Sequence, residues 1–200
     1  MNALTQYLKS RATGRTVTGS VIFALLVVLV QHTLLIPHFQ AATTFIPFDA
    51  QFPLTRHMIA IQLGAYEANA RAAYFPFLLV DVLLAFASAW ALMLLWAWLF
   101  AQHRTAAFAF FERGAVLLVP VYTLLCDIAE DVAFARLVGG LSGESYVATI
   151  KFAVTIHGIR GALLDVQVIL TVLFVILFAL AAGKQEQTGA LRGETMVNGE

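Results

Sequence analysis

The sequence predicts an all-α polytopic membrane protein, a four-transmembrane-helix bundle with a short extracytoplasmic amphipathic helix, and three observations carry that reading. Apolar residues make up 60% of the 200 and charged residues only 12%, against about 25% charged in soluble domains, so the surplus apolar surface needs lipid. The apolar residues gather into runs of about the 20 residues that cross a hydrocarbon layer, separated by short polar segments. The few charges inside those runs fall at helical spacing, above all Asp127, Glu130 and Asp131.

The first span is predicted over 17–36. Residues Met1 to Ser20 carry Lys9, Arg11 and Arg15 with no acid, which sets the N-terminus in the cytoplasm by the positive-inside rule. The apolar run from Val21 to Val30 is interrupted by Gln31-His32-Thr33 before Leu34-Leu35-Ile36 resumes. Ten residues would suit the core of a signal peptide, whereas 17–36 spans. The triplet Ala41-Ala42-Thr43 ends on a poor residue for cleavage, which favours a retained helix.

Pro37, Pro47 and Pro53 punctuate an aromatic-containing loop on the outer side. An outer cap helix over 54–73 follows, with Leu54, Met58, Ile61, Ala65, Ala68 and Ala72 forming one apolar stripe. The second span, 75–101, opens at Tyr74-Phe75-Pro76-Phe77 with Pro76 in its first turn, and closes among Trp96, Trp98 and Phe100, so that aromatics mark both headgroup levels. Its lone charge, Asp81, lies about 9 Å below the outer end. Ala85, Ser88 and Ala89 continue from it along a small-residue face suited to close approach of a neighbouring helix.

His103, Arg104 and Arg113 against Glu112 keep the next loop cytoplasmic. The third span, 114–138, contains Pro120, an expected kink, and ends near Arg136, whose stem can snorkel. Gly139 to Gly143 forms a glycine-rich hairpin turn with no lysine in phosphate-loop register. The fourth span, 147–182, has a polar outer half with Lys151, His157 and Arg160 and an apolar inner half broken by Asp165. His157 with Gly161, and Gly158 with Ala162, suggest a small-residue seam. Residues 183–200 are polar and lack periodicity, so a disordered cytoplasmic tail is expected. The localisation that follows is a bacterial inner (plasma) membrane, with both termini cytoplasmic.

Asp127, Glu130 and Asp131 stand at i, i+3 and i+4, so a helix projects all three from one stripe. A carboxylate at bilayer depth costs about 2.5 to 3.5 kcal/mol, so the stripe must face protein, water or cations. Arg160 and Lys151 are the expected salt-bridge partners, and Asp81, His157 and Asp165 lie at similar depth. Beside three carboxylates, His157 is placed to accept a proton or ligate a metal.

Several classes of chemistry find no support. Twelve basic and twelve acidic residues balance, leaving no basic field for nucleic acid. The single Cys126 excludes an internal disulfide framework and reads as a small buried apolar residue. There is no His-Glu-x-x-His, and His32 with His157 follow no haem spacing rule, so no metal and no cofactor is expected. Ser142 and Ser145 sit in a turn without a nucleophile elbow, and no catalytic residue is assigned.

At Asn69-Ala70-Arg71-Ala72-Ala73-Tyr74, Asp81 and Asp127-Ile128-Ala129-Glu130-Asp131, the chain resembles a loose group of bacterial four-helix integral membrane proteins without an assigned activity. These have an arginine and tyrosine ahead of the second span, an aspartate inside it, and an Asp-x-x-Glu-Asn type signature in the third. Asp131 stands where that pattern has asparagine, and Asn69 lies in a stretch that usually closes with glycine before the arginine. The resemblance covers about a third of the chain and implies that Arg71, Tyr74, Asp81, Asp127 and Glu130 act as a set.

Three functional readings follow. The first is binding of a polar ligand, headgroup or proton in a transport, sensing or partner-binding role. The second is a membrane-embedded enzyme acting on a lipid, with Glu130 or Asp127 as general acid/base and Arg160 or Lys151 holding an anionic headgroup. The third is a purely structural polar network. The bilayer is the one partner required; a small polar or lipid ligand, a second copy of the chain and a membrane partner stay open.

Overall fold

The computed structural model describes residues 3–102, 106–113 and 116–197, and side chains up to residue 183 except at 106 and 113. Among the described residues the chain is helical with no strand. A short α1 (Ala3–Arg11) precedes α2 (Gly14–Val30), which begins at a reciprocal threonine cap: the Thr16 N–H donates to Thr13 Oγ1 at 3.2 Å and the Thr13 N–H to Thr16 Oγ1 at 2.9 Å.

The polar interruption at Gln31-His32-Thr33 does not end this helix. It forms a π turn, Gln31–Leu35, in which the Ile36 N–H reaches the carbonyl of Gln31, and α3 (Ile36–Thr43) continues beyond it. Pro37 has no N–H to offer the carbonyl four residues back, so the regular ladder was bound to break near Thr33. The combined helix, Gly14–Thr43, is longer than the expected 17–36 and is long and apolar enough to cross a membrane.

The cap is shorter than expected. Helix α4 (Arg56–Ala65) is capped by the Thr55 hydroxyl, which accepts from the Met58 N–H at 3.2 Å, and stops at the extended Tyr66. Its core-facing side is Ile59, Gln62 and Leu63, whereas Met58 and Ile61 of the expected stripe are exposed. Residues 68–73, read as the end of the cap, instead open α5 (Ala68–Gln102). Pro76 therefore sits inside that helix and not in its first turn. At about 1.5 Å per residue α5 is about 52 Å long, and its apolar window is 44% buried against 17% for the first long helix and 11% for α8 (Gly143–Val197), which makes α5 the central element.

After α6 (Ala106–Arg113) and a 3-10 turn, α7 (Val119–Val138) begins with Pro120 in its first turn, so this proline starts the helix where a kink was expected. Residues 114 and 115 of the expected third span lie outside the described residues. Gly139 and Gly140 make the turn into α8, Gly140 at φ 100°, a value that favours glycine. Only half of the small-residue seam on α8 packs as expected: Gly158 and Ala162 are exposed, whereas His157 is buried and Gly161 meets the Phe52 ring. The α8 backbone is helical past Ala182 to Val197, and side chains of the expected tail from 184 on lie outside the described residues.

Two apolar clusters hold the bundle. One joins Phe39, Phe48, Tyr66, Tyr74 and Phe134; the other joins Leu8, Trp96, Phe100, Phe108 and Phe174. Trp96 and Phe100 thus belong to the core and not to an interfacial belt, and Trp96 Nε1 donates to Thr171 Oγ1 at 3.0 Å. Near the second cluster Lys9 pairs with Glu112 at 2.7 Å, so α1 and α6 share one end of the bundle. Along each of α5, α7 and α8, the charged residues Asp81, Asp127 to Asp131 and His157 to Arg160 fall between the stretches that feed the two clusters. Large apolar side chains point outward from α2, α5, α7 and α8, among them Leu25, Leu79, Leu125, Ile169 and Leu180, a surface that needs lipid. Three helices, Gly14–Thr43, Ala68–Gln102 and Gly143–Gly183, are long and apolar enough to span a bilayer.

Candidate functional site

The acidic stripe of α7 faces inward. Asp127, Glu130 and Asp131 are buried while Tyr122, Leu125 and Val132 on the same helix are exposed, as the cost of a carboxylate against lipid requires. Helix α8 supplies the cation. Arg160 donates from Nη1 to Asp127 Oδ1, its Nε lies 3.2 Å from Glu130 Oε2, and its Nη2 reaches the Asp49 carbonyl at 3.3 Å. His157, one turn earlier, donates from Nδ1 to Glu130 Oε1 at 2.6 Å. Glu130 is fully buried and held from two sides.

On α5, Asp81 is buried and accepts from Gln31 Nε2 at 2.5 Å. The π turn places that donor, since Gln31 is buried while His32 and Thr33 beside it are exposed. A fifth carboxylate comes from a segment that sequence reasoning treated as a plain loop. Asp49, in the 3-10 turn Phe48–Ala50, accepts from the Tyr74 hydroxyl at 3.1 Å. The loop is pinned by Phe48 inside the aromatic cluster and by Gln62, which donates to the Ile46 carbonyl at 2.8 Å and to the Tyr66 hydroxyl at 2.6 Å. Burial, then the negative charges of Asp81 and Glu130, drive the Asp49 carboxyl well above the usual range, with Arg160 opposing. Burial likewise raises the Tyr66 phenol above its ordinary value.

Of the residues singled out from the sequence, Asp81, Asp127, Glu130, Asp131, His157 and Arg160 come together, and Tyr74 joins them through Asp49. Arg71 does not: its Nη1 donates to the Val138 carbonyl at 2.7 Å and closes the C-terminus of α7. Lys151 and Asp165 are exposed and lie outside the cluster, so Lys151 is not the second cationic partner that its sequence position suggested. Asp49 and Gln31 belong to the cluster although the sequence did not single them out. The one signal for Asp49 was an acid set among Phe45, Ile46, Phe48 and Phe52, where a solvent-exposed loop would have been polar.

A cavity of about 360 Å³ adjoins the cluster, within the range of small-ligand sites. Asp49, Asp81, Asp127, Arg160, Gln31 and Gln167 supply its polar wall. Ala85, Ser88 and Ala89, expected to admit a neighbouring helix, leave this space instead. It reaches the surface beside His32 and Leu164, both exposed. Gln167 donates to Thr123 Oγ1 at 2.5 Å and ties α8 to α7 across its far side. Among the described residues five carboxylates face one guanidinium, so the group carries an excess of four negative charges, or three with His157 protonated, unless protons or cations join it. Such a site favours cations, protons and hydrogen-bond donors. No family model, curated protein or solved structure matches the chain.

Proposed function

We propose that this chain is a four-span membrane protein whose interior cluster binds a cationic, hydrogen-bond-donating solute, or a proton, in a transport or sensing role. The observation that carries the proposal is the polar wall of the cavity, where Asp49, Asp81 and Asp127 face a single arginine already engaged by Asp127, by Glu130 and by the Asp49 carbonyl. An anionic lipid headgroup would meet mainly carboxylates there, and Lys151 is exposed and not part of the cavity wall. That weighs against the headgroup arm of the first reading and against the lipid enzyme built on Arg160 and Lys151. Helix α7 serves as the third span: its 20 residues reach about 30 Å, its three carboxylates turn inward, and its one exposed charge, Arg136, stands in the last turn. The basic N-terminal segment supports a cytoplasmic location for the end shared by α1 and α6, in a bacterial inner membrane, with Arg56–Ala65 as the extracytoplasmic helix.

The structural reading keeps part of the cluster. Glu130, fully buried and shared by His157 and Arg160, fastens α7 to α8 and has no place in the cavity wall. The two roles therefore separate by residue. Thermal unfolding of the purified protein in lipid nanodiscs, with guanidinium, ethanolamine, choline and putrescine tested in turn, checks the proposal. At least one of them is expected to stabilise the wild type and to lose that effect in Asp81→Asn. Stabilisation by phosphate or phosphoethanolamine, and by none of the amines, would overturn it.

A further inference from the structure

We propose that Asp49, Asp81 and Asp131 form a binding site for a hard divalent cation, Ca²⁺, Mg²⁺ or Mn²⁺, where the loop bearing Asp49 closes onto α5 and α7. Each aspartate comes from a different element, and one oxygen from each lies within 4.8 Å of the others. Opposite ligands of a calcium ion bound at about 2.3 to 2.6 Å stand about 4.6 to 5.2 Å apart, and adjacent ones are closer, so this spacing suits one shared ion. An oxygen-only donor set selects Ca²⁺, Mg²⁺ or Mn²⁺ over the softer metals.

The way each carboxylate is held points the same way. Asp131 is 4% exposed, and among the described residues neither of its oxygens has a hydrogen-bond partner. Asp81 is 6% exposed; its Oδ1 accepts from Gln31 and its Oδ2 has no partner. Asp49 repeats the pattern, with Oδ2 taking the Tyr74 hydroxyl and Oδ1 buried without a partner. In Asp49 and Asp81 one oxygen is oriented by a neutral donor and the other is free to take a cation, the arrangement of a metal-ligating carboxylate with its supporting layer. A structural network would pair those oxygens, because a buried carboxylate oxygen without a donor is costly. Arg160 does not meet the need: it goes to Asp127 and Glu130, and it reaches Asp49 through the carbonyl, not the carboxylate. Asp49 and Asp81 also line the cavity, so a bound ion sets the position of two of its walls and ties loop 46–51 to the helices.

The site shares those two walls with the cavity, and it rests on the reading above only for the sign of the charge it attracts. Titration of Mn²⁺ into the full-length protein in nanodiscs, with free Mn²⁺ followed by electron paramagnetic resonance, tests it. One Mn²⁺ is expected per chain, displaced by Ca²⁺ or Mg²⁺, with affinity reduced at least about tenfold in Asp131→Asn and in Asp81→Asn and unchanged in the exposed Asp165→Asn. Failure of the wild type to take up Mn²⁺ near neutral pH would overturn the site and leave shared protons as the balance of charge. Retention of wild-type affinity in both cluster variants would overturn it as well. Should those variants not fold, the wild type itself decides, since absence of any Mn²⁺-dependent rise in its melting temperature also sinks the site. Mn²⁺ uptake by a protein that responds to no organic cation would keep the site and remove the cavity reading, and the converse result would remove the site alone.

Discussion

Among the described residues Arg160 is the one arginine or lysine paired within the cluster, and its worth lies in what its removal would strand. Asp127 and Glu130 both depend on it, and a buried ion pair broken from one side costs about 3 to 5 kcal/mol. Arg160→Met is therefore expected to lower the unfolding free energy by about that amount in mixed-micelle denaturation, and Arg160→Lys, which keeps the charge and loses the planar fork, by less. Glu130→Gln should behave as a stability variant because Glu130 stands outside the cavity wall. Tyr66 offers a test by pH. Its phenol is raised above the ordinary 10.0 by burial, with the Gln62 hydrogen bond opposing. A folded-state value raised above the unfolded one stabilises the fold fully below the unfolded value and is withdrawn as pH climbs toward the folded one. The melting temperature is thus expected to fall above pH 10.0, and to fall less steeply in Tyr66→Phe.

Among the elements, the π turn at Gln31–Leu35 does the most with the least sequence. A regular helix would have run past Asp81 without a defined break in its ladder; the turn at Gln31 brings a neutral donor onto the carboxylate, in keeping with the frequent use of such bulges at functional sites. Replacing Gln31 with Leu should cost about 1 to 3 kcal/mol by leaving Asp81 without a donor and should weaken Mn²⁺ binding about 10- to 100-fold through loss of the orienting bond. A milder contrast is Trp96→Phe, which removes the link from α5 to Thr171 on α8 and should cost about 1 kcal/mol in the same denaturation assay. The interruption at Gln31-His32-Thr33 was visible in the sequence, but whether it ended, kinked or merely widened the helix depended on Pro37 and on the partner waiting in α5. Boundaries suffered from the same blindness. Nothing local separates residues 68–73 from a cap helix, and it is packing of Ala70 and Tyr74 into the core that joins them to α5.

Across the whole molecule, the outward Leu25, Leu79, Leu125 and Ile169 and the inward Asp81, Asp127, Glu130 and Asp131 make an inside-out arrangement suited to a bilayer. The topology is open to cysteine scanning, because Cys126 is the single cysteine and Cys126→Ala clears the background. In intact cells, an impermeant maleimide is expected to label cysteines placed at Thr44 and Ser142 and to miss those at Ser10 and Gln102. The opposite pattern would reverse the orientation, and labelling of all four without permeabilisation would refute the spanning arrangement. The helical class, the three apolar helices long enough to span and the inward stripe of α7 were legible because helical periodicity and the energy of a charge in hydrocarbon are local quantities, computable from spacing alone. The meeting of Asp49 with Asp81 and Asp131, the choice of Arg160 over Lys151 and the cavity that Ala85 and Ala89 leave beside them belong to the folded chain alone. Each depends on where loop 46–51 lands and how α8 is rotated against α7, and those are fixed by side-chain packing between segments far apart along the sequence.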